Sequence, residues 1–180
     1  FVPFEKELQG LLAGLGMENA RIQLDHKIVA PSPSGLDEVE LLFSANKGME
    51  IGAIKKMASG GEMSRIMLAV KAVLANYSKL PSIIFDEIDT GISGEAARQV
   101  GAIMQSLADN LQLIAITHQP QIAARAQAHY FVYKQVKDDF TYTQIRRLSS
   151  EERILEIAKM LSGENPKDAA IENAKELLKN

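Results

Sequence analysis

The stretch that decides the fold is "ASGGEMSRIMLAVKAVLANYSKLPSIIFDEIDTG", residues 58–91. A serine and two glycines stand before a long apolar segment. Met63, Ile66, Met67, Leu68, Val70, Val73 and Leu74 make residues 62–78 a helix apolar almost all round, which predicts deep burial. Pro81 punctuates its exit, and "SIIFDE" (82–87) is a short apolar run ending in two acids. Such a run fits a strand of a parallel sheet covered on both faces. Residues 93–108 read as a second helix and "LQLIAITH" (111–118) as a second buried strand. Helix, strand, helix and strand with short joints is an α/β pattern.

Outward from this core, Leu8, Leu11, Leu12 and Leu15 give residues 4–15 a helical stripe that Gly16 stops. Residues 20–27 alternate as a half-buried strand and 39–45 read as a second, an expected antiparallel pair with the turn-rich "APSPSGLDE" (30–38) as a long connector. Residues 128–136 and 140–148 form a hairpin about "KDD" (137–139). Ser149 and Glu152 supply a capping box for the next helix, which Gly163 ends, and Asn165–Pro166 opens the last.

Composition narrows the classes. The 180 residues are 46% hydrophobic and carry a net charge of −3, which does not make a basic nucleic-acid clamp of the whole chain. Lys55–Lys56 and Arg146–Arg147 are small basic pairs, a common feature of solvated surfaces. There is no cysteine, so disulfides and thiolate metal sites are excluded. His26, His118 and His129 lack metal-ligand spacing. No apolar run reaches the roughly 20 residues of a membrane span. The first residue is not Met, which leads to the expectation of a piece of a longer protein.

Three clusters could carry chemistry. Ligands of open α/β sheets bind at the carboxyl ends of strands. Asp86 and Glu87 close such a strand. One acid can hold Mg²⁺ and its neighbour can deprotonate a water; the plain alternative is two solvated acids. His118 closes the next strand and is expected on the same sheet edge, where it can donate to a phosphate oxygen. A lone histidine there is more often structural. Gly60 and Gly61 permit positive φ and close backbone approach, and the helix start behind them is an anion site. Its plain reading is a capped helix, with Glu62 completing a capping box on Ser59. Both uses of those N–H groups can coexist.

The order and spacing of these pieces are more specific than any one alone. "ASGGEMSRIMLAVK", "IIFDEIDTGISGEAARQVG" and "ITHQPQIAARAQAHYFV" resemble the C-terminal half of an ABC-type ATPase head. "EIDTGIS" in place of a transporter's Pro-Thr-containing segment points to the SMC-like branch, which organises and repairs DNA. "LLFSANKG", "LGMENARIQL" and "RLSSEERILEIAKMLSG" fit its DNA-repair members, and the resemblance runs over about residues 4–180. The connector at 28–37 matches least.

The resemblance implies an α/β fold, the C-terminal lobe of an ABC/SMC-type head. That lobe has a mostly parallel sheet flanked by helices, with antiparallel hairpins. It implies ATP and Mg²⁺ as cofactors. Asp86 is implied as the Mg²⁺ residue, Glu87 as the base and His118 as the γ-phosphate sensor. Ser59, Gly60, Gly61 and Glu62 are implied in the signature turn, and Asp89 and Gly91 in the D-loop. No GxxxxGK[ST] occurs. One lobe over residues 1–180 is therefore expected, with 1–16 as a coiled-coil return or first helix and the P-loop half elsewhere. Expected partners are that half, a second head in a homodimer and DNA, with no membrane, in a cytoplasmic, nucleoid-associated protein of double-strand break repair and recombination. The chain alone is expected to be inactive. Alternatives are a Rad50-like or chromosome-condensation head, a transporter ATPase, or an interaction module without chemistry; the intact Asp86–Glu87 pair and His118 argue against the last.

Overall fold

The structure, a computed structural model, describes residues 1–77, 80–92, 94–138 and 140–179, with Asn76 by its backbone alone. Two compact units, Phe1–Ile116 and Thr117–Asn180, divide the chain and are taken in turn. Among the described residues no helix is long and apolar enough to cross a membrane.

The first unit opens with α1 (Val2–Gly14), where Pro3 occupies the first turn and needs no N–H partner. Leu8, Leu12 and Leu15 are fully buried. Glu5 Oε1 accepts the Leu24 N–H at 2.7 Å, and Gln9 Nε2 donates to the Ala20 carbonyl at 3.1 Å. These bonds tie α1 to β1 (Arg21–Ser32), which pairs antiparallel with β2 (Gly35–Ser44). The 30–38 segment is therefore strand on both sides of a tight turn, where the sequence predicts a long connector. Gly35 takes φ 110°, and the register shifts between Ile28 and Ser32. Pro31 is tolerated there because β1 lies at the edge of its sheet, where a missing N–H breaks no ladder. A short β3 (Gly52–Ala53) and α2 (Ile54–Met57), neither foreseen, lead to the glycine pair.

Then α3 (Gly60–Tyr77) runs as predicted, apart from Ser78, which lies outside the described residues. Ile66, Leu68, Ala69 and Val73 are buried, but Met67, Leu74 and Tyr77 are exposed. Deep burial on all sides is thus corrected: this chain covers one face of the helix. The strands β4 (Ser82–Asp86) and β5 (Gln112–Ile116) pair parallel, with Asp86 opposite Ile116. Between them α4 (Gly94–Ala108) buries Ala97, Val100, Met104 and Leu107; Ser93, its expected first residue, lies outside the description. Parallel pairing is confined, among the described residues, to β4–β5. Ile83 and Phe85 point inward, with the Lys71 ammonium 5.4 Å from the centre of the Phe85 ring. The outer side is bare: Ile84, Ile114 and Ile116 are 59%, 45% and 53% exposed. The expectation of cover on both faces fails among the described residues.

The second unit holds α5 (Pro120–Ala123), the hairpin β6 (Tyr130–Lys137) and β7 (Phe140–Arg147), α6 (Ser150–Ser162) and α7 (Asp168–Leu177). Of the predicted "KDD" turn, Asp139 lies outside the described residues, and Asp138 takes φ 49°. The Ser149–Glu152 capping box forms in both directions and Gly163 stops α6 at φ 92°. Ala123, Ala124, Ile157, Ala158 and Ala174 form this unit's core.

Candidate functional site

In the first unit the predicted residues gather on two segments, the start of α3 and the loop after β4. Met63 N–H bonds the Ser59 carbonyl at 2.8 Å, so the helix begins at the glycines. Neither Gly60 nor Gly61 takes a positive φ, correcting the idea of a left-handed turn. They sit in the first helical turn, where N–H groups have no partner inside the helix. Their surroundings show which side of the helix start is covered. A Cβ on Gly61 would stand 3.5 Å from the Thr90 carbonyl oxygen, whereas one on Gly60 would meet nothing within 4 Å. The helix start is therefore closed against the loop after β4 on one side and open on the other.

The predicted capping box on Ser59 is half made. Glu62 Oε2 accepts from the Ser59 N–H at 2.8 Å and from the Ser59 hydroxyl at 2.6 Å. The hydroxyl thus donates to the carboxylate instead of accepting from the helix backbone. These two bonds, hydroxyl first, and then the Arg65 charge hold the Glu62 carboxyl below the usual range. A depressed native value contributes stability above the unfolded value of about 4.3, lost as pH falls through the native one. Wild type is therefore expected to exceed Glu62→Gln in urea stability at neutral pH, by less than about 1 kcal/mol for so exposed a contact. The gap should close as pH drops below about 4. A gap that persisted or grew in acid would overturn the assignment.

After β4 the chain turns sharply. Glu87, exposed, takes φ 47°, a region unfavourable for a residue with a Cβ. Its N–H donates to the Ile116 carbonyl at 3.0 Å. Its carbonyl accepts the Thr90 N–H at 3.2 Å and the Thr90 hydroxyl at 2.9 Å. Asp89 is 1% exposed, its carbonyl accepts the Ile92 N–H at 3.1 Å, and Gly91 follows at φ 76°. Asp86 is exposed at the end of β4. Thr90 was not singled out by the sequence reading, yet it both braces Glu87 and meets Gly61. The signal was available: a threonine three residues past an acid in a loop commonly bonds back to that residue.

His118 belongs to the second unit, two residues beyond β5. Thr117 Oγ1 accepts the Gln119 N–H at 3.0 Å, and Gln119 Nε2 lies 3.4 Å from His118 Nε2. Arg65, given no role from sequence, is half-buried, and its Nε has no hydrogen-bond partner among the described residues.

An exposed carboxylate at a strand end suits Mg²⁺, which keeps waters and takes phosphate oxygens in preference to an all-protein cage. Among the described residues no three acids or histidines converge as a closed metal site. Asp86 therefore fits as one ligand within a shell completed by others.

No protein-family model matches the chain. It is 48% identical over 177 residues to the DNA repair protein RecN of Deinococcus radiodurans, a match covering 98% of this chain and 31% of that protein. The chain thus spans about a third of the curated relatives' length. Among solved structures, the Smc head domain with a coiled coil and joint from Pyrococcus yayanosii superposes with a TM-score of 0.67 at 21% identity, over 88% of this chain and 29% of that one. A structure from work on ATP-driven dimerization and DNA-stimulated activation of SMC ATPases superposes at 0.58 and 20% identity, covering 88% and 91%. The α/β fold is that of SMC ATPase heads.

Proposed function

Because the chain is similar over nearly its whole length to the C-terminal part of DNA repair protein RecN, we propose that residues 1–180 are the C-terminal lobe of a split ATPase head acting in DNA double-strand break repair and recombination. The observation that carries this reading is the closeness of Gly61 to the Thr90 carbonyl. It puts the helix start and the loop after the Asp-Glu pair on one face.

On this reading Ser59, Gly60 and Gly61 offer N–H groups and a hydroxyl to a phosphate, with Glu62 fixing the Ser59 side chain. That phosphate belongs to ATP held on the opposite head. Asp89 and Gly91 shape the loop at the same junction. Glu87 takes a proton from the attacking water, and His118 donates a hydrogen bond to the γ-phosphate. Asp86 would hold Mg²⁺, which when bound neutralises phosphate charge. Each site then needs two heads, and the work on ATP-driven dimerization of SMC ATPases supports a dimer for a head of this fold. The bare Ile84, Ile114 and Ile116 face supports the P-loop half as the first partner. Each isoleucine is already about half covered, so covering the rest is worth about 1 kcal/mol apiece. DNA is reached by the complete protein, in the cytoplasm at the nucleoid.

The 180-residue chain alone is expected to give no ATP turnover above buffer. Adding the separately made P-loop half restores it, and Glu87→Gln in the chain removes what was restored. Turnover by the chain alone, abolished by Glu87→Gln, would sink the split-head reading.

A further inference from the structure

We propose that Arg153 is a positioning residue for ATP turnover, setting the α5 turn so that the adjoining His118 is presented correctly. This rests on the role given to His118 above. The turn is too short to hold itself. α5 has four residues, and helices gain strength only as bonds accumulate along them. Beyond the few backbone bonds of α5, one guanidinium gathers the carbonyls at and just past its C-terminal end. Arg153 Nη2 donates to the carbonyls of Ala124 at 2.6 Å, Ala126 at 2.5 Å and Ala123 at 3.4 Å. Cationic donors at a helix C-terminus satisfy its orphan carbonyls and its dipole together.

The arginine is itself fixed. It follows Glu152, which accepts from the Ser149 N–H at 2.8 Å and from Arg146 Nη1 of β7 at 2.6 Å. Ala123 and Ala124 pack in the same core as Ile157 and Ala158 of α6. Burial lowers the affinity of Arg153 for its proton; at half-buried His129, its own burial first and then the Arg153 charge disfavour protonation. An arginine stays charged in such a place. At the other end of α5, Gln119 is the N-cap and its side chain lies 3.4 Å from His118. The chain of contacts therefore runs from hairpin to α6, to Arg153, to α5, to His118.

The test uses the complete protein carrying Arg153→Gln, with Arg153→Lys as the milder variant if the first does not fold. Amide hydrogen exchange over residues 119–126 is expected to speed up about tenfold in Arg153→Gln, with residues 60–77 unchanged. ATP kcat should fall about tenfold with KM within about twofold, since the His118 bond to the γ-phosphate counts most as charge builds on it in the transition state. Arg153→Lys should fall between, and Arg153→Gln should add nothing to His118→Ala. Unchanged exchange at 119–126 overturns the clasp. Faster exchange with unchanged kcat, while His118→Ala lowers kcat, overturns the positioning role and leaves the His118 reading standing. If His118→Ala leaves kcat intact, that reading fails, and the positioning role fails with it.

Discussion

Glu87→Gln in the complete protein is expected to cut ATP turnover by about 10²–10⁴-fold, the usual worth of a positioned proton acceptor. ATP binding should survive, and ATP-joined dimers should accumulate because the step that releases them is blocked. The backbone around Glu87 argues that the effect is chemical and not a loss of fold. Its φ of 47° is held by three bonds, from its own N–H to Ile116 and from the Thr90 N–H and hydroxyl to its carbonyl. Glutamine leaves all three in place and removes only the carboxylate's basicity. A non-glycine residue at positive φ costs about 1–3 kcal/mol and persists where its surroundings impose it, a pattern common at reacting sites. Steady-state hydrolysis and sizing with ATP check both halves. Wild-type turnover would remove Glu87 from the chemistry. Slow turnover by a variant that stayed monomeric with ATP would keep the base and overturn the two-head site.

How much of this was legible in the sequence varies by segment, for physical reasons. The α/β order around "SIIFDE" was readable because apolar runs and caps are local signals. So was the box of Ser149 and Glu152, which forms as spaced. The 30–38 segment was not. Pro31, Pro33 and Gly35 weigh toward a loop, but at a sheet edge a proline loses nothing and strand pairing continues past it. Burial failed in an instructive direction. Met67, Leu74, Ile84, Ile114 and Ile116 read as core and are bare here. Sequence reports that a face is apolar and is silent on which chain covers it. The role of the glycines was half legible: the helix start they mark lies against Thr90, while their freedom in φ goes unused. That distinction needs the loop and the helix in one view, since Gly61 and Thr90 are far apart along the chain.

Mixing two inactive variants is expected to restore activity, and this follows from where Gly60 opens and Gly61 closes. The turn at Ser59–Gly61 is open on Gly60's side, with nothing within 4 Å of a Cβ there, and on the proposed reading it has room for a phosphate held by another molecule. Ser59→Arg fills that room and repels nothing in its own Asp86–Glu87 loop, so its homodimers should lose about 10²-fold or more in turnover. Glu87→Gln homodimers should be inactive for the opposite reason, an intact turn facing a site without the proposed base. In a mixed dimer one site joins both defects. The other joins an unaltered Glu87 on the first head to an unaltered Ser59 on the second, and is whole. Random pairing at equal concentrations makes half the dimers mixed, each with one whole site of two, so about a quarter of wild-type turnover should return. A turn serving its own head's nucleotide predicts no recovery at any ratio, because every head would then carry its own defect. Titrating one variant into the other separates the two. A maximum near equal amounts supports the shared site, and a flat line at background excludes it.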